Sequence, residues 1–209
     1  NLADPIPANR VEGSNGNSSG ESSKTTVATI SYEELVSLVS VGADEPASFA
    51  LVTGSDADTL TGTAVTRLIN TDTDTNDTAE QLTSKGDGVY WYVDTNGDFG
   101  DAGDILGVTF GSADISTIEA VDVDRVIFRI EPIANDDTTA GVTEAFQFTL
   151  LDQIDNDDDD DLTTGEGDDD KDRIDIAGAF EVSDKDGDKL VLDNGLLVDI
   201  ENDVPIVSG

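Results

Sequence analysis

Val123-Asp124-Arg125-Val126-Ile127-Phe128-Arg129-Ile130-Glu131 sets Val126, Phe128 and Ile130 at alternate positions, and Ala145-Phe146-Gln147-Phe148-Thr149-Leu150-Leu151 does the same with Phe146, Phe148 and Leu150. A period of two lines one face of a strand, so both stretches read as strands with one buried side. Six more short apolar runs read the same way: Ser48–Thr53, Val89–Val93, Ile105–Phe110, Asp175–Val182, Lys189–Leu192 and Leu196–Glu201. Many short strands separated by turn residues predict an all-β fold, an immunoglobulin-like β-sandwich with one or two short helices and long acidic loops. A barrel is the alternative. Asn194-Gly195 stands between two of these runs, and both residues accept positive φ, which predicts a hairpin there.

One helix is expected from Ser31-Tyr32-Glu33-Glu34. Ser at the N-cap and Glu three residues later form a capping box; Leu35, Val36, Leu38 and Val39 follow at helical spacing, and Gly42 marks the stop. Residues 114–120 are a second candidate helical turn. Residues 1–26 read as a linker: an extended, proline-set start followed by a Gly/Ser/Asn stretch from Arg10 to Thr26. A β-module is expected over residues 27–207. Trp91, in Tyr90-Trp91-Tyr92, is expected in the core, with a sugar-stacking platform as the other use of such a residue.

The charge narrows the function. The chain has 209 residues and a formal net charge of −37, carried by 35 Asp and 12 Glu against 10 Lys and Arg. Such a charge disfavours nucleic-acid binding. The excess of Asp over Glu favours loops over charged helices, because Asp keeps its carboxylate close to the backbone and tolerates turn geometry. With few cationic side chains, bound divalent cations are the expected counter-charge. The chain lacks Cys, His and Met, which removes disulfides, thiolate metal sites, cysteine nucleophiles and the commonest general base. No hydrolase, Walker or zincin motif is present. Paired carboxylates are too numerous to mark a glycosidase, and no enzyme activity is expected. No apolar run approaches the ~18 residues of a membrane helix, and no signal peptide is read at the start.

Two segments share the pattern D-x-[DN]-G-D: Asp94-Thr95-Asn96-Gly97-Asp98 and Asp184-Lys185-Asp186-Gly187-Asp188. Oxygen donors at i, i+2 and i+4 converge on one hard cation when the chain curls, and Gly at i+3 permits the curl. The first segment continues with Asp101 and Asp104, the second with Asp193. Neither has the EF-hand's Gly at position six and Glu at position twelve. A third acidic region, Asp152–Asp175, offers Asp152, Asp155 and Asp157, although most of it reads as a solvated loop. Asp56, Asp58 and the run Asn70–Asp77 are weaker candidates.

Three stretches taken together carry a resemblance: Glu144-Ala145-Phe146-Gln147-Phe148-Thr149-Leu150-Leu151-Asp152, then Ser183-Asp184-Lys185-Asp186-Gly187-Asp188, then Val198-Asp199-Ile200-Glu201-Asn202-Asp203-Val204-Pro205. In this order they resemble the repeat modules of giant RTX adhesins exported by type I secretion in Gram-negative bacteria, over roughly residues 27–207. The resemblance implies tandem β-sandwich modules, calcium in loops and at module junctions, a surface location outside the cell, and a mechanical role in adhesion and biofilm formation. Carried over residue by residue, Asp184, Asp186 and Asp188 match the calcium segment, and Asp203 matches the acidic residue before the junction proline. The expected partners are neighbouring modules of the same chain, each module being monomeric. Asp4-Pro5-Ile6 near one end and Asp203-Val204-Pro205-Ile206 near the other fit two successive module boundaries. The long Asp152–Asp175 loop departs from simple extender modules and leaves room for a scaffold hosting an inserted ligand-binding domain, with a seam near residue 20. Two further readings are a calcium-dependent sugar- or peptide-binding module using Trp91, and an acidic domain of a halophile without specific calcium.

Overall fold

The computed structural model describes residues 7–12, 27–39, 48–69, 78–110, 122–133, 145–155, 171–184 and 186–201. The candidate turn at 114–120, the run Asn70–Asp77, Asp157 and Asp203 lie outside them.

The fold is all-β and sandwich-like, with two short helices among the described residues. In chain order the elements are β1 (Pro7–Glu12), β2 (Val27–Ser31), α1 (Tyr32–Leu38), β3 (Ser48–Leu51), α2 (Gly54–Leu60), β4 (Thr66–Ile69), β5 (Thr78–Gln81), β6 (Thr83–Ser84), β7 (Asp87–Asp94), β8 (Asp104–Phe110), β9 (Val123–Pro132), β10 (Ala145–Leu150), β11 (Lys171–Asp175), β12 (Phe180–Ser183), β13 (Lys189–Val191) and β14 (Leu197–Glu201). A 3-10 turn, Ala177–Ala179, separates β11 from β12.

The largest sheet has the order β2-β10-β9-β8-β7-β6, a meander of five consecutive strands with β2 added beside β10. A second sheet runs β1-β14-β11-β4-β5, and a third, small one β13-β12-β3. All pairings are antiparallel except β1 with β14, which is parallel. The three sheets share one core. The alternation of β10 buries Phe146 and Phe148. In β9 a register shift breaks the expected alternation, so that Ile127, Phe128 and Ile130 enter the same core while Val126 packs with the outer cluster. Ile174 of β11, Val198 and Ile200 of β14 and Phe180 of β12 meet them in that core. Phe146 and Phe180 touch edge to face across two sheets, with ring centroids 4.9 Å apart. Phe128 stacks on Phe148 at 5.0 Å and receives the edge of Trp91 at 5.3 Å. Trp91 is 5 % exposed, so its ring is core packing.

β8 is buried on both faces, in keeping with its apolar run Ile105–Val108, and the flanking Asp104 and Thr109 are buried with it. Its inner residue Ile105 joins the main core, while Leu106 and Val108 pack outward with Tyr92, Phe99 and Phe110. Gly107 sits where Trp91 of β7 and Phe128 of β9 flank it in register. A Cβ there would lie 2.1 Å from a carbon of the Phe128 ring, so only glycine leaves room for that ring.

The structure corrects several expectations. Asp175–Val182 is not one strand. Asp175 ends β11, its carboxylate accepts the amide of Ala177 at 3.0 Å, and the 3-10 turn carries the chain into another sheet. Asn194-Gly195 does not close a hairpin, because β13 pairs with β12 and β14 pairs with β11. Gly195 has φ 99 and its amide binds Asp175, so this turn passes the chain between sheets. The tight hairpin is instead Lys85-Gly86, joining β6 to β7, with φ 56 and 85, both residues left-handed as a two-residue turn demands. Helix α1 has the expected capping box, with Ser31 accepting from Glu34, but stops at Leu38, ahead of Gly42. Pro7–Glu12, within the segment read as linker, forms β1. None of the helices among the described residues is long and apolar enough to cross a membrane.

Candidate metal centre

The turn between β12 and β13 holds the second D-x-D-G-D segment. Ser183 pairs with Lys189, so residues 184–188 form the loop. Asp184 organises it: one carboxylate oxygen accepts the amides of Gly187 and Asp188, both at 3.0 Å, and the Asp184 amide donates to the Asp188 carbonyl at 3.1 Å. Gly187 has φ 93, which lets the chain curl back. The curl brings a carboxylate oxygen from each of Asp184, Asp186 and Asp188 within 4.8 Å of the others. Two oxygens bound to one calcium at about 2.4 Å can be no farther apart than about 4.8 Å, so this separation suits a single ion. The donors are all hard oxygens, the set that favours calcium or magnesium over zinc or copper. Crowding shows in the titration. Asp186 shares a hydrogen bond with Asp184, which pulls Asp184 below the ordinary carboxylate value and pushes Asp186 above it. Among the described residues this is the one cluster of three such groups with that convergence.

The first segment folds by the same local rule to a different end. Asp94 closes β7 and is fully buried. Its two carboxylate oxygens accept three amides, Gly97 and Asp98 at 2.9 Å and Phe99 at 2.7 Å. Gly97 has φ 76, matching Gly187. Asp104 faces Asp94 across β7–β8 and is 1 % exposed. It accepts the Asp101 amide at 3.0 Å and lies 3.9 Å from Arg129. Burial, with the nearby Glu131, pushes the Asp104 carboxyl above its ordinary value despite those contacts. Asn96, Asp98 and Asp101 stay exposed. The carboxylates of this loop do not gather three oxygens within reach of one ion. They hold a nine-residue turn, Thr95–Gly103, onto the end of the hairpin.

Asp152 and Asp155 find partners within the chain. Asp152 meets Lys85 at 2.8 Å and Arg125 at 3.0 Å. Burial opposes its charge, but Lys85, the Gln153 amide and Arg125 outweigh that and hold it below the ordinary value. Asp155 accepts the amides of Lys85 at 2.6 Å and Gly86 at 2.7 Å, capping the left-handed turn. Its carbonyl accepts Arg67 at 2.8 Å, and the Gln153 carbonyl accepts Ser84 at 2.6 Å. Residues 152–155 thus strap the β6–β7 hairpin. Asp193 lies beyond the far end of β13 from the Asp184 turn, where its charge acts on Asp175. Asp56 is exposed in the first turn of α2, and Asp58 is exposed in the same helix.

Asp175 is the acidic residue that sequence reasoning passed over as an individual. It accepts Ala177 and Gly195 and is pushed above its ordinary value by burial. The signal was local: an Asp two residues before a small-residue turn is placed to bind that turn's amide. An open cleft beside the first loop is lined by Ala50, Leu51, Asp101, Asp104, Glu131 and Phe146 among others. Neither Trp91 nor the Asp184 turn borders it, so the joint platform that a sugar grip needs is not assembled there.

Comparison with known protein families, with curated proteins and with solved structures finds no match to this chain.

Proposed function

We propose that this chain is a calcium-binding β-sandwich spacer, one module of a large secreted bacterial surface adhesin that folds and stiffens when it meets calcium outside the cell. The observation that carries the calcium half is the convergence of Asp184, Asp186 and Asp188 at a spacing that suits one ion. Asp184 and Asp188 would supply oxygens from the ends of the turn and Asp186 from its crest, and the ion would neutralise the repulsion within it. Binding to the folded state and not the unfolded one adds its free energy to stability.

The spacer half draws on the direction of two strands. β1 and β14 run parallel, with Pro7 beside Leu197 and Glu12 beside Glu201. The chain therefore enters β1 at one end of the pair and leaves β14 at the other, the arrangement that end-to-end modules need. The order of sequence motifs that resembles RTX adhesin repeats supports the same reading. In low calcium, the net charge of −37 keeps an exported chain expanded.

Thermal unfolding in EDTA, in about 5 mM calcium, and in NaCl of matched ionic strength tests the proposal. Calcium alone should raise the midpoint. Equal shifts from calcium and NaCl would remove specific binding and leave an acidic β-domain stabilised by screening.

A further inference from the structure

β1 is the last strand of its sheet, and among the described residues its backbone pairs with β14 alone. Because the pair is parallel, a pull on the two ends of the chain slides one strand along the other. All the hydrogen bonds of the pair are then strained together, whereas a pull across the pair breaks them in turn. β14 is anchored on its other side by β11 over five residue pairs, and its Val198 and Ile200 are buried in the core. β1 holds the same stretch of β14, Leu197–Glu201, and lies against β2, but its register is less regular. Arg10, Val11 and Glu12 stand opposite Asp199, Ile200 and Glu201, the register is irregular between Pro7 and Arg10, and Pro7 has no amide to donate.

We propose that β1 is a force-sensitive latch: under tension it slides off β14 before the sheets part, lengthens the module, and reseats when tension falls. This rests on the reading of the chain as a spacer pulled from both ends. Release frees the twenty residues Pro7–Thr26, roughly 70 Å of contour. β1 is an edge strand, so its release leaves the pairings of β14, β11, β4 and β5 in place. The stretch Gly13–Thr26 contains three Gly, five Ser and no Pro, a composition that lets a detached β1 find its place again.

The test is optical-tweezers pulling of the full chain in calcium, in two geometries. Handles at the two ends load β1 and β14 along their length. A handle at Gly13→Cys, unique in a cysteine-free chain, with the second handle at the C-terminus, peels the pair from the Glu12–Glu201 end. End-to-end pulling should give a reversible step ahead of core unfolding, shorter than the roughly 70 Å of freed contour by the distance already spanned when β1 is seated. Peeling should release β1 at lower force. An Arg10→Cys/Asp199→Cys disulfide, joining two residues in register, should abolish the step until it is reduced. A single unfolding event without the early step, or equal release forces in both geometries, would overturn the latch. Repeating the series in EDTA separates the two proposals. The step and its geometry dependence belong to β1 and persist without calcium, while a core-unfolding force indifferent to calcium counts against the calcium spacer only.

Discussion

Removing the leading aspartate from each of the two D-x-[DN]-G-D turns should have opposite consequences. Asp94 is fully buried and accepts three amides. A hydrogen bond to a charged acceptor contributes about 1.5–3 kcal/mol, and a buried amide left without an acceptor costs about 1–3 kcal/mol. Against this, Asp94→Ala deletes a buried charge that faces Asp104, and the freed loop admits water. The net loss is set at about 2–4 kcal/mol, which for a chain of this length lowers the midpoint by roughly 4–16 °C, with or without calcium. Asp184 accepts two amides in an exposed turn, and Asp184→Ala should leave the calcium-free midpoint near the parent's. It should, however, erase the calcium response. Extracellular modules bind calcium with Kd of about 10⁻⁴–10⁻³ M, so about 5 mM calcium stabilises by about 1–2.3 kcal/mol, or roughly 2–9 °C. Asp184→Asn separates the roles, since its amide oxygen still accepts from Gly187 and Asp188 while the charge is lost. Differential scanning fluorimetry in EDTA and calcium, with isothermal titration of calcium, reads both effects. If Asp184→Ala keeps the full calcium shift while Asp94→Ala abolishes it, the ion belongs to the first loop and the assignment made from oxygen convergence is wrong.

Gly107→Ala, which by strand propensity alone should stabilise, is expected to cost about 3 kcal/mol and roughly 6–12 °C, because the added methyl meets the buried Phe128 ring; Trp91 fluorescence follows the transition, and Phe128→Leu in the same chain should recover part of the loss. Asp155→Ala should lower the midpoint by about 2–4 °C, equivalent to about 1 kcal/mol, and speed hydrogen exchange at the Lys85 and Gly86 amides it caps. In EDTA, acid should act in two directions. Asp104 and Asp175 hold their protons more tightly when folded, so their contribution is full below the ordinary carboxylate value of 3.8 and is lost as pH rises through their raised values. Asp152 contributes above 3.8 and loses that as pH falls through its lowered value. Asp104→Asn should therefore raise the midpoint at neutral pH, with the gain vanishing near pH 3; a gain that stayed constant with pH would show that charge burial is not its cause.

The sheet strands were legible where side chains alternate, as in β10, or where a short, mainly apolar run is bounded by turn residues, as in β8 and β9. Those patterns are imposed by the core itself. Short elements carry no such pattern. Thr66-Arg67-Leu68-Ile69 and Thr78-Ala79-Glu80-Gln81 pair as β4 and β5 through backbone register, with little in their side chains to announce it. The partner of each strand was less legible than its existence. Asn194-Gly195 has the chemistry of a hairpin turn, yet the amide of Gly195 is drawn to Asp175 and the strands on either side join different sheets. That choice is made by packing around Ile176 and Leu196, residues whose backbones bond each other at 2.9 Å.

The aspartate excess has two causes that composition cannot separate. A short carboxylate suits a cation loop, and it equally suits a turn whose amides need an acceptor. Asp94, Asp155, Asp175 and Asp184 each accept two or more amides of a nearby turn, which Glu, one methylene longer, reaches less well. In three of these four the carboxylate is spent on the fold: Asp94 and Asp175 are held by backbone within the hairpin and sheet crossover, and Asp155 is held by the Lys85-Gly86 turn. Only at Asp184 do two further carboxylates, Asp186 and Asp188, lean in on the same side of the turn. The same D-x-[DN]-G-D spacing therefore caps its own turn when the first Asp is buried, and brings three carboxylates together when the turn stands in solvent, where they keep their water. Exposure of the turn, which the motif itself does not encode, separates the two D-x-[DN]-G-D segments: the buried Asp94 caps its loop, and the exposed turn gathers three carboxylate oxygens within 4.8 Å.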